Sequence, residues 1–208
     1  MMISFNQNEK KMCWQLFRKA IYFSIMVALI FAIRFWAFHY RMQTFQEFGI
    51  VENIQLTLLA FSAFVFAGEG LLFKKERALL FTFSAFCLFV LCRELDSYFE
   101  INLPAVSWKF AFLFPAIALI NLYRDRKTLK ETLFRFFKMP SFDLLFMAVC
   151  IFALAQCFGH RPMIDAVLPQ KVDTRYVRRL FEEGTEVVSY LWILLSSFEL
   201  YFNLKRKD

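Results

Sequence analysis

Residues 78–98 read ALLFTFSAFCLFVLCRELDSY: fifteen residues without a charge, from Ala78 to Cys92, and then Arg93, Glu94 and Asp96. About 20 mostly apolar residues are needed for a helix to cross the hydrocarbon core of a bilayer. Charges at the end of such a segment lie in or near hydrocarbon, where they are costly and usually have a function. The stretch therefore predicts a membrane-spanning helix that carries charged residues to one membrane face.

Five further stretches share this apolar character. The chain has 208 residues, is 59% hydrophobic and has a mean hydropathy of +0.47, which is typical of membrane proteins. We predict an all-α, polytopic membrane protein: a single transmembrane domain, a bundle of about six helices that uses most of the chain. Small residues are few, which predicts loose helix packing. The predicted spans are residues 20–40, 48–73, 78–98, 106–123, 142–159 and 180–203.

The basic residues lie mainly on one side of these spans. With a cytoplasmic N-terminus, the cytoplasmic segments hold 16 of the 25 Lys and Arg residues but 8 of the 18 Asp and Glu residues. Such asymmetry predicts orientation, and an even number of spans then places both termini in the cytoplasm of an inner (plasma) membrane protein. The expected partners are membrane lipids and a second copy or another membrane protein. No nucleic-acid partner is expected, because the basic residues are confined to short loops.

One basic loop has a pattern of its own. Residues 124–138 read RDRKTLKETLFRFFK, with apolar side chains at helical spacing. The pattern favours an amphipathic helix on the anionic inner leaflet, and a solvated basic loop is the alternative.

The opposite membrane face collects polar residues from several spans. Glu52 and Gln55 are one turn apart at the start of the second span, and Glu182 and Glu186 are one turn apart at the start of the last. If the bundle brings these faces together, they form one acidic site near the outer leaflet. The predicted ligand-binding residues are Glu52, Glu94, Asp96, Glu183, Glu186, Arg93, Arg34 and Tyr190.

Purely structural explanations exist for some of these residues. In a helix that begins near Leu180, Glu182 and Glu183 stand in the first turn, where carboxylates interact favourably with the helix dipole. Arg34 could pair with Glu52 or Glu186. Glu186 lies deeper than the first turn, so neighbouring groups must arrange its paired or neutral state.

Three functions use such a cluster. The first is binding of a cation, proton or amine-bearing ligand for transport or sensing. The second is a membrane-embedded hydrolase that depends on a divalent metal as cofactor. The third is a non-catalytic partner or assembly subunit in which the charges form a buried ion-pair network. The candidate metal ligands for the second function are Glu52, Glu94, His160, Glu183 and Glu186.

Overall fold

The computed structural model describes residues 7–45, 49–102, 108–160 and 174–206, and within these ranges it is helical, without a strand. Two 3-10 helices, Arg41–Phe45 and Trp108–Phe112, accompany eight α-helices in the same ranges. These are α1 (Gln7–Tyr40), α2 (Ile50–Leu72), α3 (Arg77–Glu94), α4 (Asp96–Asn102), α5 (Leu113–Arg124), α6 (Arg126–Phe137), α7 (Pro140–Gly159) and α8 (Thr174–Lys205).

Four of these helices, α1, α2, α7 and α8, are long and apolar enough to cross a membrane. A fifth span results if α3 and α4 are counted together, although the chain bends by 55° between them. Large apolar side chains cover the outside of the bundle, and Phe38 and Phe64 are 81% and 74% exposed. Exposed apolar surface of this extent is typical of a protein whose solvent is lipid. The chain therefore has the helices and surface of a membrane protein, with four to five candidate spans.

The predicted fourth span, residues 106–123, has a different form in the structure. Residues 106 and 107 lie outside the described ranges, and α5 begins only at Leu113. Its 12 residues cover about 18 Å, less than the hydrocarbon thickness of about 30 Å. Pro115 stands in its first turn, where the missing N–H of proline costs no helical hydrogen bond. Six spans are therefore not confirmed, and α5 is not among the candidate spans.

Residues 126–137 form α6, a helix distinct from α7. The break between them follows from Pro140, which occupies the first position of α7 and keeps Met139 in an extended conformation (φ −95°, ψ 144°). Thr132 and Phe136 are buried, and Arg135 Nη1 lies 2.7 Å from Glu76 Oε1. The segment is thus a helix packed against the turn between α2 and α3. Its position on the membrane surface stays a prediction.

Helices α7 and α8 pack through a row of small residues. The buried residues of α7 are Ser141, Ala148 and Ala155, spaced seven apart along one face. Ser189 Oγ of α8 donates to the Ala148 carbonyl at 2.9 Å, and Ser196 Oγ donates to the Ser141 carbonyl at 2.8 Å. Small side chains let two backbones approach closely in a membrane. The expected loose packing is therefore wrong at this interface.

Replacing Ala148 with leucine is expected to lower the free energy of unfolding by about 1–3 kcal/mol, the usual cost of overpacking. Ala148 is fully buried, and its carbonyl accepts a bond from Ser189, so the larger side chain must push α7 and α8 apart. Equilibrium unfolding in detergent micelles measures the loss. The matched control is Val149→Leu, because Val149 is 54% exposed on the same helix. Equal stability of the two variants would contradict the close approach.

Candidate functional site

Four α-helices and the 3-10 helix Arg41–Phe45 contribute to a polar cavity at one end of the bundle. The N-terminal part of α2, the C-terminal part of α3, the start of α4 and the N-terminal third of α8 surround a space of about 210 Å³. The lining residues are Phe45, Glu52, Gln55, Arg93, Glu94, Asp96, Ser97, Arg179 and Glu183.

The early start of α8 positions its carboxylates. This helix begins at Thr174, and its first turn contains no acidic residue. Glu182 and Glu183 therefore lie in the third turn, and the explanation by the helix dipole is wrong. Arg179 Nη1 donates to the Phe45 carbonyl at 3.2 Å, which ties α8 to the 3-10 helix that follows α1.

Gln55 is the central hydrogen-bond donor of the site. Its Nε2 donates to Glu183 Oε2 at 3.0 Å and to Glu186 Oε2 at 3.3 Å, so one amide bridges two carboxylates of α8. The residue is fully buried. Among the described residues, its Oε1 has no hydrogen-bond partner. A buried acceptor without a partner is costly, which makes this atom a place where a donor would be stabilised.

Glu186 also joins α8 to two other helices. Its Oε1 accepts a bond from Gln156 Nε2 of α7 at 2.7 Å. Arg93 Nη2 of α3 lies 3.9 Å from the same oxygen and 3.5 Å from Glu94 Oε1. Because Glu186 is only 4% exposed, these contacts supply the partners that a buried carboxylate needs.

Tyr190 holds Glu94 from the interior of the bundle. Its hydroxyl donates to Glu94 Oε1 at 2.9 Å, and its side chain is 1% exposed. The ring packs near Phe152, with the ring centroids 6.0 Å apart. Tyr190 thus positions a residue of the cavity wall and does not itself line the cavity.

The structure brings some predicted residues together and leaves others apart. Glu52, Asp96, Arg93, Glu94 and Glu183 line the cavity, and Glu186 and Tyr190 contact the residues that line it.

Arg34 and His160 have other positions. Arg34 is exposed on α1 and forms no ion pair within the part of the chain that the structure describes. His160 is exposed where α7 ends, and its backbone N–H bonds the Cys157 carbonyl. Neither side chain lines the cavity.

The described ranges contain no candidate metal centre of the kind that the hydrolase hypothesis requires. In those ranges, no group of three or more His, Cys, Asp or Glu side chains is placed to hold one metal ion. Gln55, Gln156 and Arg93 instead contact oxygen atoms of Glu183, Glu186 and Glu94, respectively, that a metal would use.

Gln55 was among the polar residues of the predicted membrane face, but neither it nor Gln156 was among the predicted ligand-binding residues. Gln55 lies one turn after Glu52, and Gln156 lies one turn before His160, each within an apolar span. An uncharged amide in hydrocarbon still needs hydrogen-bond partners. Both glutamines therefore belong to the polar groups that the sequence places near this face, and the structure shows which carboxylates they bond.

Comparison of the chain with protein-family models, with curated proteins and with solved structures gave no match. The geometry of the cavity is therefore what indicates a function.

Proposed function

We propose that this protein is a multi-pass membrane protein whose acidic cavity captures a small amine-bearing cation from the outer side of the membrane, for transport or for sensing. The observation that carries the proposal is the buried Oε1 of Gln55, an acceptor without a partner among the described residues, on a residue that lines an acidic cavity. An ammonium group donates three hydrogen bonds and carries the complementary charge.

The charge of the cavity supports a cationic ligand. Four carboxyl groups face two guanidinium groups, those of Arg93 and Arg179. Arg93 already contacts Glu94 and Glu186, and Arg179 donates to a backbone carbonyl. The carboxyl groups of the cavity wall thus outnumber its guanidinium groups by two, and this excess of negative charge favours an added cation.

The volume of the cavity limits the size of the ligand. About 210 Å³ is below the range of about 300–1,000 Å³ that is typical of pockets for drug-sized ligands. A small aliphatic amine is therefore favoured over a large organic cation. An amine is also favoured over a divalent metal, because the described residues offer no group of three metal ligands.

The proposed topology is six spans with both termini in the cytoplasm. The 3-10 helix Trp108–Phe112 and α5 together have a length of about 28 Å, nearly the hydrocarbon thickness, and would form the fourth span. The cavity lies at the ends of the helices away from the basic loops, which the positive-inside rule assigns to the cytoplasm. The exposed phenylalanine side chains provide an apolar surface that a second copy of the protein could contact.

The test uses putrescine as the probe, with 1,4-butanediol as its uncharged analogue and potassium chloride as a control for ionic strength. Putrescine at 100 times its Kd is expected to stabilise the purified full-length protein by about 2.7 kcal/mol, measured by unfolding in detergent micelles. Butanediol and potassium chloride are expected to have no such effect.

Two variants locate the binding. In Glu94→Gln/Glu183→Gln, putrescine is expected to lose its stabilising effect, because two anionic groups of the cavity wall become neutral. The matched control is Glu131→Gln, since the Glu131 side chain is 80% exposed on α6. Equal stabilisation by potassium chloride, or an undiminished response in the double variant, would overturn the proposal and favour a purely structural network.

A further inference from the structure

A second groove lies between α3 and α5, away from the acidic cavity. Its charged end is a space of about 280 Å³, and its apolar part is a space of about 520 Å³. The charged end is lined by Arg77, Ala78, Phe81, Asn121, Arg124 and Asp125. The apolar part includes the side chains of Phe86, Phe89, Phe112, Ala118, Leu119 and Leu122.

The charged space and the apolar space follow one another along the same two helices. Phe81 and Thr82 are consecutive residues of α3, and Asn121 and Leu122 are consecutive residues of α5, with one of each pair in each space. On α3 the lining residues recur at helical spacing from Ala78 through Thr82 and Phe86 to Phe89, which is a single stripe. From residue 77 to residue 89 this stripe is about 18 Å long.

The charged end presents two arginines that form no ion pair with another described residue. Arg77 and Arg124 are exposed, and no ion pair involves either of them within the described ranges. The Arg77 guanidinium lies 5.4 Å from the centroid of the Phe81 ring, which keeps it beside the groove. Arg135 on α6 differs, because Glu76 and Glu131 both pair with it.

The chemistry of this end suits a phosphate group. Guanidinium groups bind phosphate oxygens in a bidentate manner, and the Asn121 amide adds a donor. Asp125 also lines the space, so the positive charges exceed the negative by one.

The rest of the groove suits a hydrocarbon chain. Phe86, Phe112 and Leu119 are 49%, 55% and 66% exposed, so the groove is open along its side. In a bilayer this surface contacts lipid. One molecule that carries both an anionic head and an apolar chain fits the two ends at once.

We propose that the groove between α3 and α5 binds an anionic phospholipid, with its phosphate between Arg77 and Arg124 and one acyl chain along Phe86, Phe89 and Phe112. Basic pockets between membrane helices on the cytoplasmic side are suited to such headgroups. The site is independent of the amine cavity, because the two share no lining residue.

The experiment measures lipid retention by native mass spectrometry of the full-length protein in detergent. Phosphatidylglycerol and phosphatidylcholine with identical acyl chains are added in parallel. The wild-type protein is expected to bind phosphatidylglycerol about 30-fold more tightly, and Arg77→Gln/Arg124→Gln is expected to lose that preference. The matched control Arg126→Gln is expected to keep it, because Arg126 lies over the Tyr123 ring and does not line the groove.

A second variant tests the apolar part and separates a lipid from a free phosphate ester. Ala116 is exposed and lines the apolar space, so Ala116→Trp fills the groove without disturbing the core. It is expected to reduce phosphatidylglycerol binding and to leave glycerol phosphate binding unchanged. Equal retention of the two lipids by the wild-type protein, or an undiminished preference in the double arginine variant, would overturn the proposal. If the double arginine variant loses the lipid preference but Ala116→Trp binds phosphatidylglycerol as tightly as the wild-type protein, the acyl-chain part of the proposal is overturned.

Discussion

Replacing Arg18 with methionine is expected to lower the free energy of unfolding by about 3–5 kcal/mol, which is the usual cost of removing one partner of a buried ion pair. Arg18 Nη2 lies 2.8 Å from Glu199 Oε1, and the two side chains are 10% and 6% exposed. The Tyr22 hydroxyl donates to the other oxygen of Glu199 at 2.9 Å. In Arg18→Met, the Glu199 carboxylate stays buried and keeps the Tyr22 hydroxyl as a donor but loses the guanidinium group. Equilibrium unfolding in detergent micelles gives the measurement.

A double variant and a surface pair make this result specific. Arg18→Met/Glu199→Leu removes both charges and is expected to recover part of the loss, since a buried pair can often be replaced by apolar groups without net cost, whereas the Tyr22 hydroxyl loses its acceptor. Glu131→Gln breaks an exposed pair with Arg135 and is expected to change stability by about 0.5 kcal/mol or less. If Arg18→Met were as mild as Glu131→Gln, the ion pair would not hold α1 to α8.

Replacing Gln55 with leucine is the second change with a large expected effect. The amide stands between Glu183 Oε2 and Glu186 Oε2, and leucine would leave both oxygen atoms without this donor in a buried place. The expected loss of unfolding free energy is about 3 kcal/mol, because a buried charged acceptor that loses its partner pays its desolvation cost. Thermal and chemical unfolding in detergent micelles measure it. Amine binding is expected to be lost as well.

The control for this change lies on the same helix. Thr57 is exposed two residues further along α2, and its hydroxyl donates to the Asn53 carbonyl of its own helix. Thr57→Leu is expected to change stability by about 0.5 kcal/mol or less. Similar stability of Gln55→Leu and Thr57→Leu would mean that Gln55 does not hold the two glutamates in place.

Hydropathy predicted most of the helices but not how they end. The predicted spans 142–159 and 48–73 correspond closely to α7 and α2, because uninterrupted apolar runs leave few alternatives to a helix. The predicted start of the last span at residue 180 was six residues late, since the basic segment from Thr174 to Arg179 has no apolar signal. The bend at Leu95 and the short α5 were also not predicted, because backbone breaks between apolar residues leave hydropathy unchanged.

Charge pairing was the least predictable feature. Near Glu199 the sequence offers Lys205 and Arg206, yet its partner is Arg18, 181 residues away. Glu69 lies close in sequence to Lys74 and Lys75, yet it is buried in the bundle with 2% exposure. From the sequence alone, the residues nearest along the chain are the expected ion-pair partners. In the folded protein, the partners are the side chains that face each other across packed helices.

By itself the sequence determined that the chain forms long apolar helices with polar residues gathered at their ends, because hydropathy and loop charge are local properties. Only the tertiary structure decided that Gln55 meets Glu183, 128 residues away, and that Arg93 faces Glu186, while Arg34 faces outward. The physical reason is that a buried polar atom needs a hydrogen-bond partner within about 3 Å. Which residue becomes that partner depends on the rotation and depth of each helix in the bundle.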